Sequence, residues 1–212
     1  RQRQMCIRDR KHAAIRFRSC TIREDSRFVS IFLHHPPPVR TLCGRMSEMS
    51  NVFLVDHPII RTKVTELRDY TTDHRAFRDL LDEIAMLMTY EVTRDFPTRE
   101  KIVRTPLEQT TGYELARHVT LVPVLRAGLG MADGVLKVLP EARVGHLGLY
   151  RNENTLEPVP YYQKLPPDIT ETEVLVIDPM LATGGSAASA IEYLKRQGIR
   201  NLRFMCLVLS LI

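Results

Sequence analysis

Val174-Leu175-Val176-Ile177-Asp178-Pro179-Met180-Leu181-Ala182-Thr183-Gly184-Gly185-Ser186 joins a β-rich apolar run to the start of a helical one through a turn of small residues. A buried strand that delivers an acid to its carboxyl end, followed by glycines and hydroxyls, reads as strand, ligand turn and helix. Backbone N–H groups and the positive helix terminus then face the crevice, where an anion fits. Thr183 and Ser186 add hydroxyl donors, and Gly184 and Gly185 permit a backbone approach that a side chain would block. Asp178 repels phosphate, so its useful partner is a diol: a carboxylate accepts hydrogen bonds from both vicinal hydroxyls of a ribose. Taken only as a glycine turn between a strand and a helix, the stretch is ordinary punctuation. It is neither a GxxxxGK[ST] loop nor a GxGxxG fingerprint, which argues against a kinase P-loop and a dinucleotide site.

Outward from this turn, strands and helices alternate. Residues 119–125 form a short apolar β-rich run, Arg126-Ala127-Gly128-Leu129-Gly130 interrupts it, and a helical stretch follows to Leu139. Residues 144–150, 173–177 and 202–209 read as further strands, and residues 186–197 as a helix ended by Gly198. The pattern predicts an α/β fold, a parallel sheet with helices on its faces. Upstream, Phe77, Leu80, Leu81, Ile84, Leu87, Met88 and Val92 share one helical face, with Asp73 as N-cap and Phe96-Pro97 closing the helix. Met86 and Met88 read as core filling. Residues 151–168 form a Pro-rich polar insertion of the functional-loop type.

The chain has 212 residues, 44% of them hydrophobic and 26% charged, as in a soluble globular protein. Its apolar runs fall well short of the roughly 18 residues of a membrane span. The net charge of +5 is lopsided: residues 1–45 hold 11 basic and 3 acidic side chains, and the remainder is net acidic. Cys6, Cys20 and Cys43 lie in the same leader, and Cys206 alone lies beyond it, without metal spacing or a disulfide framework. Secretion is disfavoured because the apolar patch at 28–33 is short and contains Ser30; Asp9, Glu24 and Asp25 count against a mitochondrial transit peptide. The opening Arg1-Gln2-Arg3-Gln4-Met5-Cys6-Ile7-Arg8-Asp9-Arg10 resembles translated adapter sequence. Residues 1–45 are therefore expected to be a non-native or disordered leader, and residues 46–212 the domain.

The 174–186 stretch resembles the 5-phosphoribosyl-1-diphosphate (PRPP) loop of type I phosphoribosyltransferases. Most of that family has two adjacent acids there; Pro179 in place of the second is typical of the uracil phosphoribosyltransferases. Val122-Pro123-Val124-Leu125-Arg126-Ala127-Gly128-Leu129-Gly130-Met131 resembles the family's pyrophosphate loop, and the stretch from Tyr150 to Leu165 its flexible catalytic loop. The resemblance implies a sheet flanked by helices, with N-terminal helices ahead of it, and conversion of uracil and PRPP to UMP and pyrophosphate in pyrimidine salvage. Asp178, Arg126 and Arg151 carry catalysis in this reading. PRPP is bound by those three residues together with Pro179, Met180, Leu181, Ala182, Thr183, Gly184, Gly185 and Ser186. Tyr161, Tyr162 and Lys164 are weaker candidates.

Mg²⁺ is expected to arrive mainly on PRPP, with no protein metal ligand assigned. GTP as an activator, a homo-oligomer and a cytoplasmic setting also follow from the resemblance, without nucleic-acid or membrane partners. Family members continue past the counterpart of Val208 with a Gly-rich segment that recognises uracil, so this chain is expected to lack that pocket and to make no appreciable UMP. A non-catalytic PRPP-sensing pyrimidine regulator of the same fold is the nearest alternative, and the Asp178-Pro179 pair favours the transferase. A nucleic-acid-binding protein using the basic leader is a second, but basic strands interleaved with aromatics are absent.

Overall fold

The computed structural model describes residues 27–30, 53, 55–151, 158–181 and 184–209, with the backbone alone at 27–30, 151, 158, 160, 208 and 209. In chain order the elements are β1 (Arg27–Ser30), α1 (Pro58–Leu67), α2 (His74–Val92), β2 (Thr98–Arg104), β3 (Gln109–Leu115), β4 (Val119–Leu125), α3 (Leu129–Val138), β5 (Arg143–Val144) and β6 (His146–Arg151). They continue with β7 (Pro158–Lys164), a 3₁₀ turn (Ile169–Glu171), β8 (Glu173–Ile177), β9 (Met180–Leu181), α4 (Gly185–Arg196), β10 (Leu202–Cys206) and β11 (Val208–Leu209).

Local chemistry sets the helix starts. Pro58 occupies the first turn of α1, and His57 Nδ1 accepts from the Ile59 N–H at 3.2 Å. Asp73 caps α2 as its sequence predicts, its Oδ1 accepting from the N–H groups of Arg75 and Ala76, each at 2.8 Å. The α2 stripe then buries Leu80, Leu81, Ile84, Met88 and Val92, while Phe77 stays partly exposed at the helix start.

The main sheet runs β1-β10-β8-β4-β6-β7, with β5 beside β4 just ahead of β6. All its pairs are parallel except β6 with β7. Alternate residues of the central strands feed two cores. Leu121, Leu175, Ile177 and Met205 face α1, α2 and α3, and Val122, Val124, Val174, Val176 and Phe204 face α4. Burial on both faces explains why β4, β8 and β10 read as near-continuous apolar runs. The expected α/β architecture is the one observed.

Several boundaries differ from the expectation. The strand expected at 144–150 breaks at Gly145, whose N–H turns to the Leu121 carbonyl at 2.8 Å, giving β5 and β6. The strand at 202–209 breaks at Leu207, which donates instead to Pro179 O at 3.2 Å. The Pro-rich insertion contains β7, where Pro158 and Pro160 are tolerated because β7 is the outermost strand. The β2–β3 hairpin, mostly exposed, carries no periodic signal. Residues 27–30, set aside with the leader, pair in parallel with Arg203 to Cys206 as an edge strand. Arg203, an oddity in a buried strand, donates to the Val92 carbonyl at 2.7 Å, pairs with Asp95 and lies over the Phe96 ring at 4.5 Å.

Candidate active site

The crevice follows from strand order. After β4 the chain passes through α3 to β5 and β6 on one side; after β8 it passes through α4 to β10 on the other. Adjacent parallel strands whose connections depart in opposite directions leave a gap beyond their carboxyl ends, where ligands bind in open α/β sheets. Arg126 follows β4 and Asp178 follows β8, and the two strands are in register at Pro123 and Ile177. Arg151 ends β6, three residues past Gly148, the partner of Leu125; its side chain lies outside the described residues.

The turn after β4 lies directly on the β8 backbone. A Cβ on Gly128 would stand 2.5 Å from the Ile177 carbonyl oxygen and 2.7 Å from the Val124 nitrogen, so the close approach requires glycine. The Gly128 N–H donates to Val124 O at 2.9 Å, and the Leu125–Arg126 peptide bond is cis. Gly128 and Gly184 occupy the N-cap positions of α3 and α4, and neither helix has a side-chain cap there. The first-turn N–H groups of α3 donate to the carbonyls of Arg126, Ala127 and Gly128, each at 3.2 Å, so α3 offers the crevice its positive dipole end, while the start of α4 offers backbone donors as well. Gly184 has φ +77°, a conformation that side chains resist.

Asp178 is half-buried. Burial pushes its carboxyl up to about 6, opposed by a hydrogen bond from the Met180 N–H to Oδ1 at 3.3 Å. Its own N–H donates to Met205 O at 3.1 Å. Pro179, Met180 and Leu181 follow, with Met180 and Leu181 paired to Val208 and Leu209 in the short β9–β11 sheet. Ala182 and Thr183 lie outside the described residues; Gly185 and the exposed Ser186 open α4.

Arg126 lines an open cleft of about 510 Å³ together with Leu125, Leu149, Tyr150 and Tyr161. Asp178 is not among those lining residues but directly follows β8, the neighbouring strand. Tyr150 is absent from the candidate binding set, and Tyr161 entered only as a weaker one; the available trace was Gly148, a glycine inside a strand run, which marks close approach. Tyr162 and Lys164 are exposed on β7 outside the cleft lining.

A doubly covered parallel sheet with an acid and an arginine at its switch point, beside the uncapped start of α4, has the arrangement of a type I phosphoribosyltransferase. The family model for uracil phosphoribosyltransferase matches residues 54–211. The chain is 54% identical over 161 residues to the uracil phosphoribosyltransferase of Bacillus velezensis, covering 76% of this chain and 77% of that protein. Against that of Oceanobacillus iheyensis it is 55% identical over 161 residues, with the same coverage. A solved structure from Aquifex aeolicus superposes with a TM-score of 0.64 at 32% identity, over 73% of this chain and 85% of that one. The chain belongs to the uracil phosphoribosyltransferase family.

Proposed function

We propose that this site is built for the family's reaction, transfer of the phosphoribosyl group of PRPP to uracil to yield UMP and pyrophosphate. The observation that carries the reading is the placement of Asp178 and Arg126 at the carboxyl ends of neighbouring strands, beside the uncapped start of α4. Uracil as the acceptor comes from family membership.

In this reading the Asp178 carboxylate accepts from the ribose hydroxyls, and the 179–186 turn with the start of α4 holds the 5-phosphate. As the bond from the anomeric carbon to pyrophosphate breaks, the ribose becomes cationic and the leaving oxygens gain negative charge. Arg126 and Arg151 offer planar, permanently charged donors to those oxygens. Asp178 orients the ribose and supports its positive charge, and no protein nucleophile is required. Mg²⁺ would arrive on the substrate's own oxygens, since it prefers few protein ligands together with substrate phosphates. Bound there, Mg²⁺ supplies further neutralisation of the leaving group. Homo-oligomerisation, GTP activation and a cytoplasmic setting belong to the same proposal. Among the described residues no helix is long and apolar enough to cross a membrane.

Calorimetric titration with PRPP·Mg²⁺ tests the site. Asp178→Asn is expected to bind about tenfold or more weakly, the scale of hydrogen bonds to a charged acceptor. Equal affinities would remove Asp178 from the ribose.

A further inference from the structure

We propose that Tyr161 is a positioning residue of this active site: a β-bulge turns its ring onto Gly148, where with Tyr150 it walls the cleft that Arg126 enters and orders that arginine for the pyrophosphate end of the substrate. The inference rests on the reading of the site given under Proposed function and extends it to β7.

The bulge is visible in the register. Gly148 pairs with Tyr162 and Leu149 with Pro160, which leaves Tyr161 as the extra residue of β7. An extra residue bends its strand and re-aims the side chain. The ring of Tyr161 lies directly on Gly148: a Cβ there would stand 2.6 Å from its Cζ, 2.9 Å from Cε1 and 3.0 Å from Cε2. Any side chain at 148 would displace it. The Tyr150 ring supports it from the same side, with centroids 6.2 Å apart and planes tilted by 56°, inside the range of favourable aromatic pairs.

Position within the sheet gives this platform a purpose. Gly148 pairs with Leu125 across β4 and β6, and Arg126 is the next residue. A ring seated on Gly148 therefore lies over the strand next to the one that Arg126 follows, and Tyr161 and Arg126 border the same cleft. The tyrosines are not core residues, since Tyr150 remains 50% and Tyr161 55% exposed. A bulge and an obligatory glycine are more than a surface tyrosine needs, and they make sense where the ring's location matters. Arginine loses rotamer freedom when it clamps an anion. A fixed wall beside it reduces that loss and excludes water from one side, which strengthens its attraction for phosphate oxygens.

The test compares magnesium pyrophosphate and ribose 5-phosphate on the full chain by calorimetry, with PRPP·Mg²⁺ as a third ligand on the wild type. Tyr161→Ala and Gly148→Ala, which remove the ring or evict it, are expected to weaken pyrophosphate about tenfold, and Tyr161→Phe, which keeps the ring, to stay within about twofold. Ribose 5-phosphate, held by the Asp178 turn, should bind all three variants as it binds the wild type. Tyr161→Leu retains apolar cover if the alanine variant does not fold. Unchanged pyrophosphate affinity in the ring-loss variants overturns the proposal. So does an equal loss for both ligands, which would mark a merely structural role, and so does a loss in Tyr161→Phe as large as in Tyr161→Ala, which would make the hydroxyl a direct ligand. Wild-type binding of PRPP without pyrophosphate also overturns it but leaves the parent reading intact; binding of none of these ligands sinks both.

Discussion

Asp178 holds its charge at a cost to the fold. Its carboxyl titrates near 6 in the folded chain against an ordinary value of 3.8, so the native state binds the extra proton between about pH 4 and pH 6. Stability contributed by this group is thus full below pH 4 and declines as pH rises through 6. Discounted for partial exposure, the loss at pH 7 is about 1–2 kcal/mol. Asp178→Asn is accordingly expected to melt higher than the wild type at pH 7 and alike at pH 4. Thermal unfolding at both pH values checks this, and an asparagine variant less stable at pH 7 would contradict it. The gain in stability and the loss of PRPP binding in one substitution would mark a residue kept for its ligand. Its place at the end of β8 was readable in the sequence, because the apolar run before it and the glycines after it mark a strand end and a turn. Tyr161 was not readable in the same way: a bulge breaks the two-residue alternation that strand reading depends on.

Helices α2 and α3 approach closely along Gly130 and Gly134, one turn apart on α3. A Cβ on Gly134 would stand 2.1 Å from the Asp82 carbonyl oxygen and 3.0 Å from the Ala85 Cβ, whereas one on Gly130 would meet only the Leu81 side chain, at 2.8 Å. Gly134→Ala is expected to destabilise the fold by about 1–3 kcal/mol through overpacking against backbone. Gly130→Ala should cost less, because Leu81 can swing aside. Denaturant melts of the two variants give the ranking, and the reverse order would mean that α3 slides rather than resists. At this scale the sequence was legible where apolar residues keep a pure period, as in α2. It was silent for the β2–β3 hairpin, whose strands bury almost nothing, and misleading for β7, where prolines signalled a loop although an outermost strand accepts them.

Across the whole molecule, the two cores draw on residues between Val55 and Leu207 and close over both faces of the sheet. Deleting residues 1–45 is therefore expected to leave the melting temperature within a few degrees; a fall beyond about 5 °C would make β1 integral to the sheet. Strand alternation predicted the parallel sheet, but no local pattern tells which strands become neighbours, so the switch point between β4 and β8 emerges only in three dimensions. The pairing of Met180 with Val208 and of Leu181 with Leu209 also sets a timetable. During synthesis, α2, β4 and β6 leave the ribosome long before the segment that fastens the turn after Asp178. The arginine side of the crevice can be laid down early, while the ribose side must wait until residue 209 has emerged, so the two halves of the ligand site are completed at different times.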